Sequence, residues 1–500
     1  MKNESRRDFL KKSAMMTAGI TGITILPSSV ISGLGKQQRA PSDKMNIVGI
    51  GVGGKGHINL VGMRPENIIG LCDVDWNYAT ECFKDFPTAK KYKDWRIMFD
   101  ELGKDIDGVM VATSDHTHAL VAATALTMGK HVFCQKPLTH SIYESRLLTR
   151  LAAKYNVATQ MGNQANSGDG VRQVCEWIWS GEIGEVREVH AWTDRPIWPQ
   201  GLERPKQVMK IPKTMDWDLF IGPAPMRPYH EIYTPWNWRG WWDFGTGAFG
   251  DMACHVLDPI YQSLKLGYPD KIQGSSSSIN TESPPQSEKV EFVFPARDNM
   301  PKVAMPEVKV YWYDGGLLPN RPDLLPDGIN LMRDELGGCL FVGSKDTLHC
   351  DCGGFNPKLL SGRQPNVPQT LRRIPGATGY IDGYHEQDWV RACKESPASR
   401  VESTSNFAYS GPFNEMVLLG VLAIRLQSLN KILKWDGPNM AFTNISPTEE
   451  LNIISSNDFK VVDGHPYFDV KYQKFNALEA SKEYIKHTYR AGWKLPDMPA

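Results

Sequence analysis

Residues 51 to 56 of this 500-residue chain read Gly51-Val-Gly53-Gly54-Lys-Gly56, and Asp73 follows at about the distance from the glycines that a dinucleotide site requires. Gly51 would permit a tight turn, and Gly53, with Gly54 beside it, would let the backbone approach a pyrophosphate. Gly56 would let the following helix pack close to the strand. The phosphates would rest at that helix N-terminus, where free N–H groups and the macrodipole favour negative charge. Such glycine patterns also arise by chance. Asp73 narrows the reading, because it ends a second apolar run, Asn67 to Cys72. A carboxylate there accepts hydrogen bonds from the ribose 2′- and 3′-hydroxyls and repels a 2′-phosphate, which favours NAD over NADP. The alternative for Asp73 is a strand-terminal residue that caps the next turn.

The elements that must hold these residues follow from periodicity. Met45 to Ile50 runs straight into the glycines, and further apolar runs at 106–112 and 130–134 alternate with helix-like stretches at 57–62 and 119–128. Short apolar strands alternating with helices predict a doubly wound parallel sheet. Between residues 266 and 380 the pattern changes to strand-like alternation, as in 289–294 and 308–312, with Pro- and Gly-rich loops between. The predicted fold class is therefore α/β. It comprises an N-terminal Rossmann domain over 45–165 and a C-terminal α+β domain over 166–500, with an open, mainly antiparallel sheet. Helical stretches at 384–394 and 415–427 carry apolar spacing suited to packing on that second sheet.

Composition narrows the class of protein. Apolar residues make up 41% and charged residues 22%, with 56 basic and 56 acidic side chains, so no electrostatic bias points to nucleic acid or an anionic membrane. The nine cysteines are scattered. Only Cys350 and Cys352 lie close together, without the paired spacing of a zinc site, so they read as small core residues and no metal is expected. Seven of the fifteen tryptophans fall between Trp192 and Trp242. Aromatic faces stack on pyranose C–H faces, so a carbohydrate cleft including Trp198 and Trp241 is one explanation; core or interface packing is the other, for about half of them. At the N-terminus, Ser5-Arg6-Arg7-Asp-Phe-Leu-Lys-Lys-Ser13 precedes a weakly apolar stretch rich in Gly and Thr. It resembles a twin-arginine export signal, with residues 1–44 as signal and linker, and implies a periplasmic location with no stable membrane span. A basic tail with a chance Arg-Arg pair is the alternative.

Taken in order, several motifs resemble the Gfo/Idh/MocA family of oxidoreductases. They are the glycine turn, Ala112-Thr-Ser-Asp-His-Thr-His118, Gly129-Lys-His-Val-Phe-Cys-Gln-Lys-Pro137 and Gly250-Asp-Met-Ala-Cys-His-Val-Leu-Asp258. Tyr313-Asp-Gly-Gly316, Phe341-Val-Gly343, Trp435-Asp436 and Tyr489-Arg-Ala-Gly-Trp493 continue the match. The resemblance implies a catalytic set of Lys136, Asp251 and His255. If residues 251–255 are helical, a spacing of four places the last two on one face. It also implies cofactor contacts from Thr113, His116, His118, Gln135, Lys136 and Pro137, and substrate contacts from Asn163, Gln164 and Arg239 as well as from Asp251 and His255. The family's Glu-Lys-Pro signature stands here as Gln135-Lys136-Pro137, and the missing carboxylate alters the charge around the lysine.

Those residue types suit oxidation of a secondary alcohol, which loses a hydride only as its hydroxyl proton also leaves. His255 would take the proton, Lys136 would donate to the developing alkoxide, and Asp251 would orient the imidazole or the substrate. The expectation is an enzyme with tightly bound NAD acting on a sugar or glycoside, assembled as a homo-oligomer through the C-terminal sheet. Two other readings stay open: a glycosidase that oxidises its substrate transiently, and a non-catalytic sugar binder.

Overall fold

A computed structural model describes residues 44–499 apart from 301, 329, 332–335 and 378–381. The export signal expected in residues 1–44 lies, except for Lys44, outside the described residues.

The first domain alternates strand and helix as its periodicity predicts. Its elements are β1 (Asn46–Ile50), α1 (Lys55–Gly62), β2 (Asn67–Cys72), α2 (Thr80–Asp85), β3 (Lys90–Tyr92), α3 (Trp95–Leu102), β4 (Gly108–Val111), α4 (Asp115–Thr127), β5 (His131–Cys134), α5 (Ile142–Tyr155) and β6 (Thr159–Met161). The six strands pair in parallel in the order β3-β2-β1-β4-β5-β6, the doubly wound Rossmann arrangement, whose ligand crevice lies beyond the carboxyl ends of the strands. Ile47, Val48, Val109 and Met110 are fully buried, as strands covered on both faces require. Gly51 has φ +75°, and a Cβ added at Gly56 would stand 1.9 Å from the Gly51 carbonyl oxygen, so both positions need glycine to bring α1 onto β1. Helix α4 begins four residues before the expected Ala119, because Ser114 serves as its N-cap and the 115–118 motif forms its first turn.

The second domain follows with α6 (Asp169–Trp179), β7 (Val186–Trp192), α7 (Trp217–Ile221), α8 (Gly247–Val256), α9 (Asp258–Ser263), β8 (Lys271–Ser276), β9 (Glu288–Phe294), β10 (Val308–Tyr313), β11 (Gly338–Gly343), β12 (Thr347–Asp351) and β13 (Lys358–Leu359). After these come α10 (Tyr384–Lys394), α11 (Phe407–Arg425), β14 (Leu433–Asp436), β15 (Ala441–Phe442), β16 (Glu450–Val462), β17 (His465–Asn476) and α12 (Ala477–Ile485). Nine strands form one open sheet in the order β13-β12-β11-β7-β10-β9-β8-β14-β15, in which only the β7–β10 pair is parallel. The other two, β16 and β17, make a separate antiparallel ribbon.

Two helices depart from expectation. Helix α10 packs on the Rossmann sheet: Trp389 is fully buried in a cluster with Ile47, Met110 and Phe133, its ring 5.9 Å from that of Phe133. Its apolar stripe predicts a sheet beneath it but not which one. Helix α11 starts well before the expected Glu415, because Asn406 caps it and Ser410-Gly411-Pro412, a turn-like sequence, is helical. Gly411 allows the close approach to α5, since a Cβ there would lie 1.8 Å from Thr149 Oγ1. Among the described residues, Phe407–Arg425 is the one helix long and apolar enough to cross a membrane, and it is largely buried in the core. All nine cysteines are free thiols and eight of them are buried.

Helix α8 is fixed from behind. Phe249 packs 4.9 Å from the Trp312 ring on the open sheet, and Gly420 of α11 meets it so closely that a Cβ would fall 2.3 Å from the Phe249 ring. Asp251 and His255 line the Rossmann crevice from the same helix.

Candidate active site

A cleft of about 660 Å³ runs from the glycine turn and Asp73 to Lys136, Asp251 and His255. At one end, Gly51, Gly53 and Gly54 form its floor, and α1 opens with no side-chain cap. Asp73 Oδ2 accepts from Val52 N (2.9 Å) and Gly53 N (3.0 Å), and Oδ1 accepts from Asp75 N (2.9 Å). The carboxylate therefore caps its own turn and ties the glycine loop to β2. With about four acceptor sites on a carboxylate, capacity remains for a ribose hydroxyl in the cleft. Burial raises Asp73 to about 6, against these three hydrogen bonds. Asp75, which the sequence reading passed over, lines the same end, and Tyr78 leans on the glycines: a Cβ at Gly53 would stand 2.1 Å from its ring. A cradle that excludes every Cβ, beside a buried acid, fits a dinucleotide.

The ionisation of Asp73 yields a prediction. Ribose hydroxyls hydrogen-bond best to its charged form, so NAD affinity should climb with pH up to about 6 and level off above it, approaching tenfold per pH unit on the acid side. Titrations of NAD by protein fluorescence at several pH values would reveal the slope. Asp73→Asn should flatten it and weaken binding.

At the other end, Lys136 Nζ donates to Asp251 Oδ1 (2.7 Å) and to the Asp251 carbonyl (3.1 Å), while Arg239 Nε donates to the same Oδ1 (3.0 Å). Burial alone would raise the Asp251 carboxyl, but the Lys136 and Arg239 charges outweigh it and hold the group far below the usual carboxylate range. His255, one turn further along α8, is pushed down to about 3, first by burial and then by the Lys136 ammonium. Its imidazole is thus neutral at neutral pH, the form that accepts a proton. Asp115 Oδ2 accepts from Thr246 N (3.1 Å) and Thr246 Oγ1 (2.9 Å), so the first turn of α4 grips the N-cap of the helix that carries Asp251 and His255.

The carboxylate missing at Gln135 returns from elsewhere in the chain. Gln135 Nε2 donates to Asn59 Oδ1 (2.9 Å), Asn59 Nδ2 donates to Glu386 Oε1 (2.5 Å), and Gln164 Nε2 reaches the same oxygen (3.4 Å). Glu386 is buried and comes from α10, whose unexpected place on the Rossmann sheet brings it there. Lys55, also in the cleft and lowered by burial, feels that carboxylate as its largest opposing influence.

The cleft gathers Gly51, Gly53, Gly54, Asp73, Thr113, Gln135, Lys136, Gln164, Arg239, Asp251 and His255, all expected from the sequence. Other expected residues lie outside it. Gly56 is a packing glycine, as its predicted role requires. His116 turns the other way: its ring bonds to the carbonyls of Phe220, Ile221 and Phe244. His118 spans the carbonyls of Pro137 (2.9 Å) and Thr113 (3.1 Å), so it ties the two loops together behind the cleft wall. Burial pushes both imidazoles down to about 4. Asn163 is buried off the cleft; it precedes the short 3-10 helix Gln164–Ser167, whose first residue, Gln164, takes the inner position. Trp198 donates to Gln200 Oε1 (2.8 Å) and packs edge-on against Trp236, while Trp241 is fully buried 4.9 Å from Tyr233. Of the tryptophans clustered between 192 and 242, Trp236 and Trp238 line the cleft and hold the Arg239 guanidinium 5.0 and 4.2 Å from their ring centres.

Fold and cleft together define a two-domain protein of the dinucleotide-binding Rossmann class. The model of the GFO_IDH_MocA oxidoreductase family's NAD-binding Rossmann fold matches residues 44–163, and that of the family's C-terminal alpha/beta domain matches residues 186–293. The chain is thus similar to the Gfo/Idh/MocA oxidoreductases over its Rossmann domain and over part of its second domain. Over 151 residues it is 30% identical to an inositol 2-dehydrogenase of Salmonella typhimurium, covering 29% of this chain and 44% of that protein. It is 25% identical over 189 residues to a levoglucosan dehydrogenase of Pseudarthrobacter phenanthrenivorans, covering 38% of this chain and 40% of the relative. Both alignments thus span less than half of the relative. An inositol dehydrogenase homolog from Azotobacter vinelandii, crystallised with NADH and myo-inositol, superposes with a TM-score of 0.50 at 15% identity, over 78% of this chain and 97% of that one.

Proposed function

We propose that the protein is a NAD-dependent oxidoreductase that oxidises a secondary hydroxyl of a sugar, polyol or glycoside, in the last case to a keto-glycoside. The observation that carries this reading is the Lys136–Asp251 contact of 2.7 Å, with His255 one turn further along the helix, on the wall of the cleft that begins at the glycine turn. The glycine turn and Asp73 would hold NAD, which supplies a hydride acceptor when bound. His255, neutral and half-buried, accepts the hydroxyl proton. Lys136 donates to the oxygen as negative charge develops there. Asp251 fixes the ammonium of Lys136 and the guanidinium of Arg239, which leaves a net positive wall facing that oxygen. Asp73 and Asp75 at the ribose end favour NAD over NADP, since both repel a 2′-phosphate.

The similarity to inositol and levoglucosan dehydrogenases supports a polyhydroxylated ring as the substrate class. Arg6-Arg7 and the Gly/Thr-rich stretch after them support export to the periplasm by the twin-arginine route, and the open nine-stranded sheet supports assembly into a homo-oligomer.

The test is a panel of sugars, polyols and aryl glycosides incubated with the purified protein and NAD, with reduced-nicotinamide absorbance and aglycone release followed together. Absorbance growth on at least one ring substrate is expected. Aglycone release without net reduction would replace the dehydrogenase reading with redox-assisted cleavage, and neither signal across the panel would overturn both.

A further inference from the structure

The Tyr489-Arg-Ala-Gly-Trp493 stretch has no part in the chemistry above, yet it reaches the cofactor cleft. After α12 the chain turns back across the Rossmann domain and is fastened there. Tyr489 OH donates to Glu144 Oε1 of α5 (2.6 Å), and Arg490 donates through Nη1 to Asp218 Oδ1 (2.6 Å) and through its backbone N to the Pro223 carbonyl (2.8 Å). Near the end of the chain, Arg150 Nη1 donates to the Pro499 carbonyl (3.0 Å). Between these ties the Arg96 guanidinium stands 4.6 Å from the Trp493 ring centre, itself held by Asp94 at 2.6 to 3.0 Å. Trp493 thereby lines the same cleft as Asp73, together with Trp95, Met215 and Leu219.

Met215 and Leu219 are brought there by a second strap. Asp216 N donates to the Val74 carbonyl (2.8 Å), Trp76 N to the Thr214 carbonyl (3.2 Å), and Asp75 pairs with Met215 as an isolated bridge. The segment before α7 is therefore stitched to the chain just beyond Asp73. Past the ribose acid of a Rossmann site comes the adenine, a flat ring with two π faces. Such a ring gains most from aromatic and apolar walls, and this end of the cleft supplies two indoles, a methionine and a leucine.

We infer that Trp493 binds the adenine half of the dinucleotide, and that the C-terminal tail and the 214–219 segment enclose the adenosine end so that the cofactor is retained between turnovers. The inference rests on the dinucleotide reading of the cleft. A tail that only fastened the two domains would need no aromatic side chain in the cleft.

The experiment compares wild type, Trp493→Ala and Trp493→Phe, titrating each with NAD and with nicotinamide mononucleotide, which lacks the adenosine, by ligand-observed NMR and calorimetry. Thermal unfolding of the cofactor-free proteins is measured in parallel. Trp493→Ala is expected to weaken NAD by on the order of tenfold or more and to speed its release, as loss of a base-stacking ring does. Affinity for nicotinamide mononucleotide should stay within about twofold, and Trp493→Phe should recover most of the loss. Equal NAD affinity in wild type and Trp493→Ala would overturn the inference, as would a matching loss for both ligands with a lowered unfolding temperature. Wild-type protein that bound no NAD would sink the dinucleotide reading itself, and the clamp with it.

Discussion

Replacing Lys136 with alanine should lower kcat by a factor on the order of 10² or more while leaving the Kd for NAD within about threefold of wild type. The ammonium is the donor best placed to meet developing negative charge, and in a buried cleft such a donor is worth far more than in water. Its removal has a second effect: of the two cations held by Asp251 Oδ1, Arg239 alone remains to balance the carboxylate. The glycine turn and Asp73 are untouched by the change. Steady-state kinetics beside a direct NAD titration separates the two ends of the cleft, and unchanged kcat would remove Lys136 from the chemistry.

Replacing His255 with glutamine should cost on the order of 10² to 10⁴ in kcat, the range that proton transfer by a positioned base contributes. The pH dependence makes the assignment specific. Burial, followed by the neighbouring ammonium, pushes the imidazole down to about 3, so the proton-accepting form is already complete at pH 5 and gains nothing at higher pH. The wild-type kcat, measured with NAD saturating, should therefore show no histidine-like rise between pH 5 and 8, and the acid limb near 6 from Asp73 should appear only in kcat/KM for NAD. In the His255→Gln variant the remaining rate should increase with pH, as solvent hydroxide takes over the proton. A variant that kept wild-type kcat, with a flat profile, would show that the imidazole is structural.

What the sequence disclosed and what it withheld divide along physical lines. The glycine turn, Asp73 and the Asp251–His255 pair are local patterns, because backbone conformation and helical periodicity set them within a few tens of residues. The parallel Rossmann sheet was legible for the same reason. The replacement carboxylate was not: Glu386 lies 327 residues from its partner Asn59, and only the position of α10 on the Rossmann sheet joins them. An apolar stripe containing Trp389 and Val390 announces a buried helix face without naming the surface that receives it. The tryptophan cluster behaved likewise. Seven indoles in a short stretch signal aromatic packing, but which of them line a cleft depends on the turns between 195 and 246, and Trp236 and Trp238 hold Arg239 while Trp198 and Trp241 went to the core. The two histidines of the 113–118 motif illustrate a further limit. A helix start is readable, but His116 and His118 sit two residues apart on it and diverge, each drawn to backbone carbonyls that burial had left in need of donors.

The account depends on one meeting of groups, an imidazole and an ammonium from distant parts of the chain converging on a single hydroxyl beside the nicotinamide. A crystal structure of the protein with NAD and an unreactive sugar analogue tests this most directly. We expect the nicotinamide C4 to lie about 3 to 3.5 Å from a ring carbon whose hydroxyl oxygen is within hydrogen-bond reach of both Lys136 Nζ and the His255 ring. A nicotinamide seated away from α8, or a sugar hydroxyl that touches neither side chain, would contradict it.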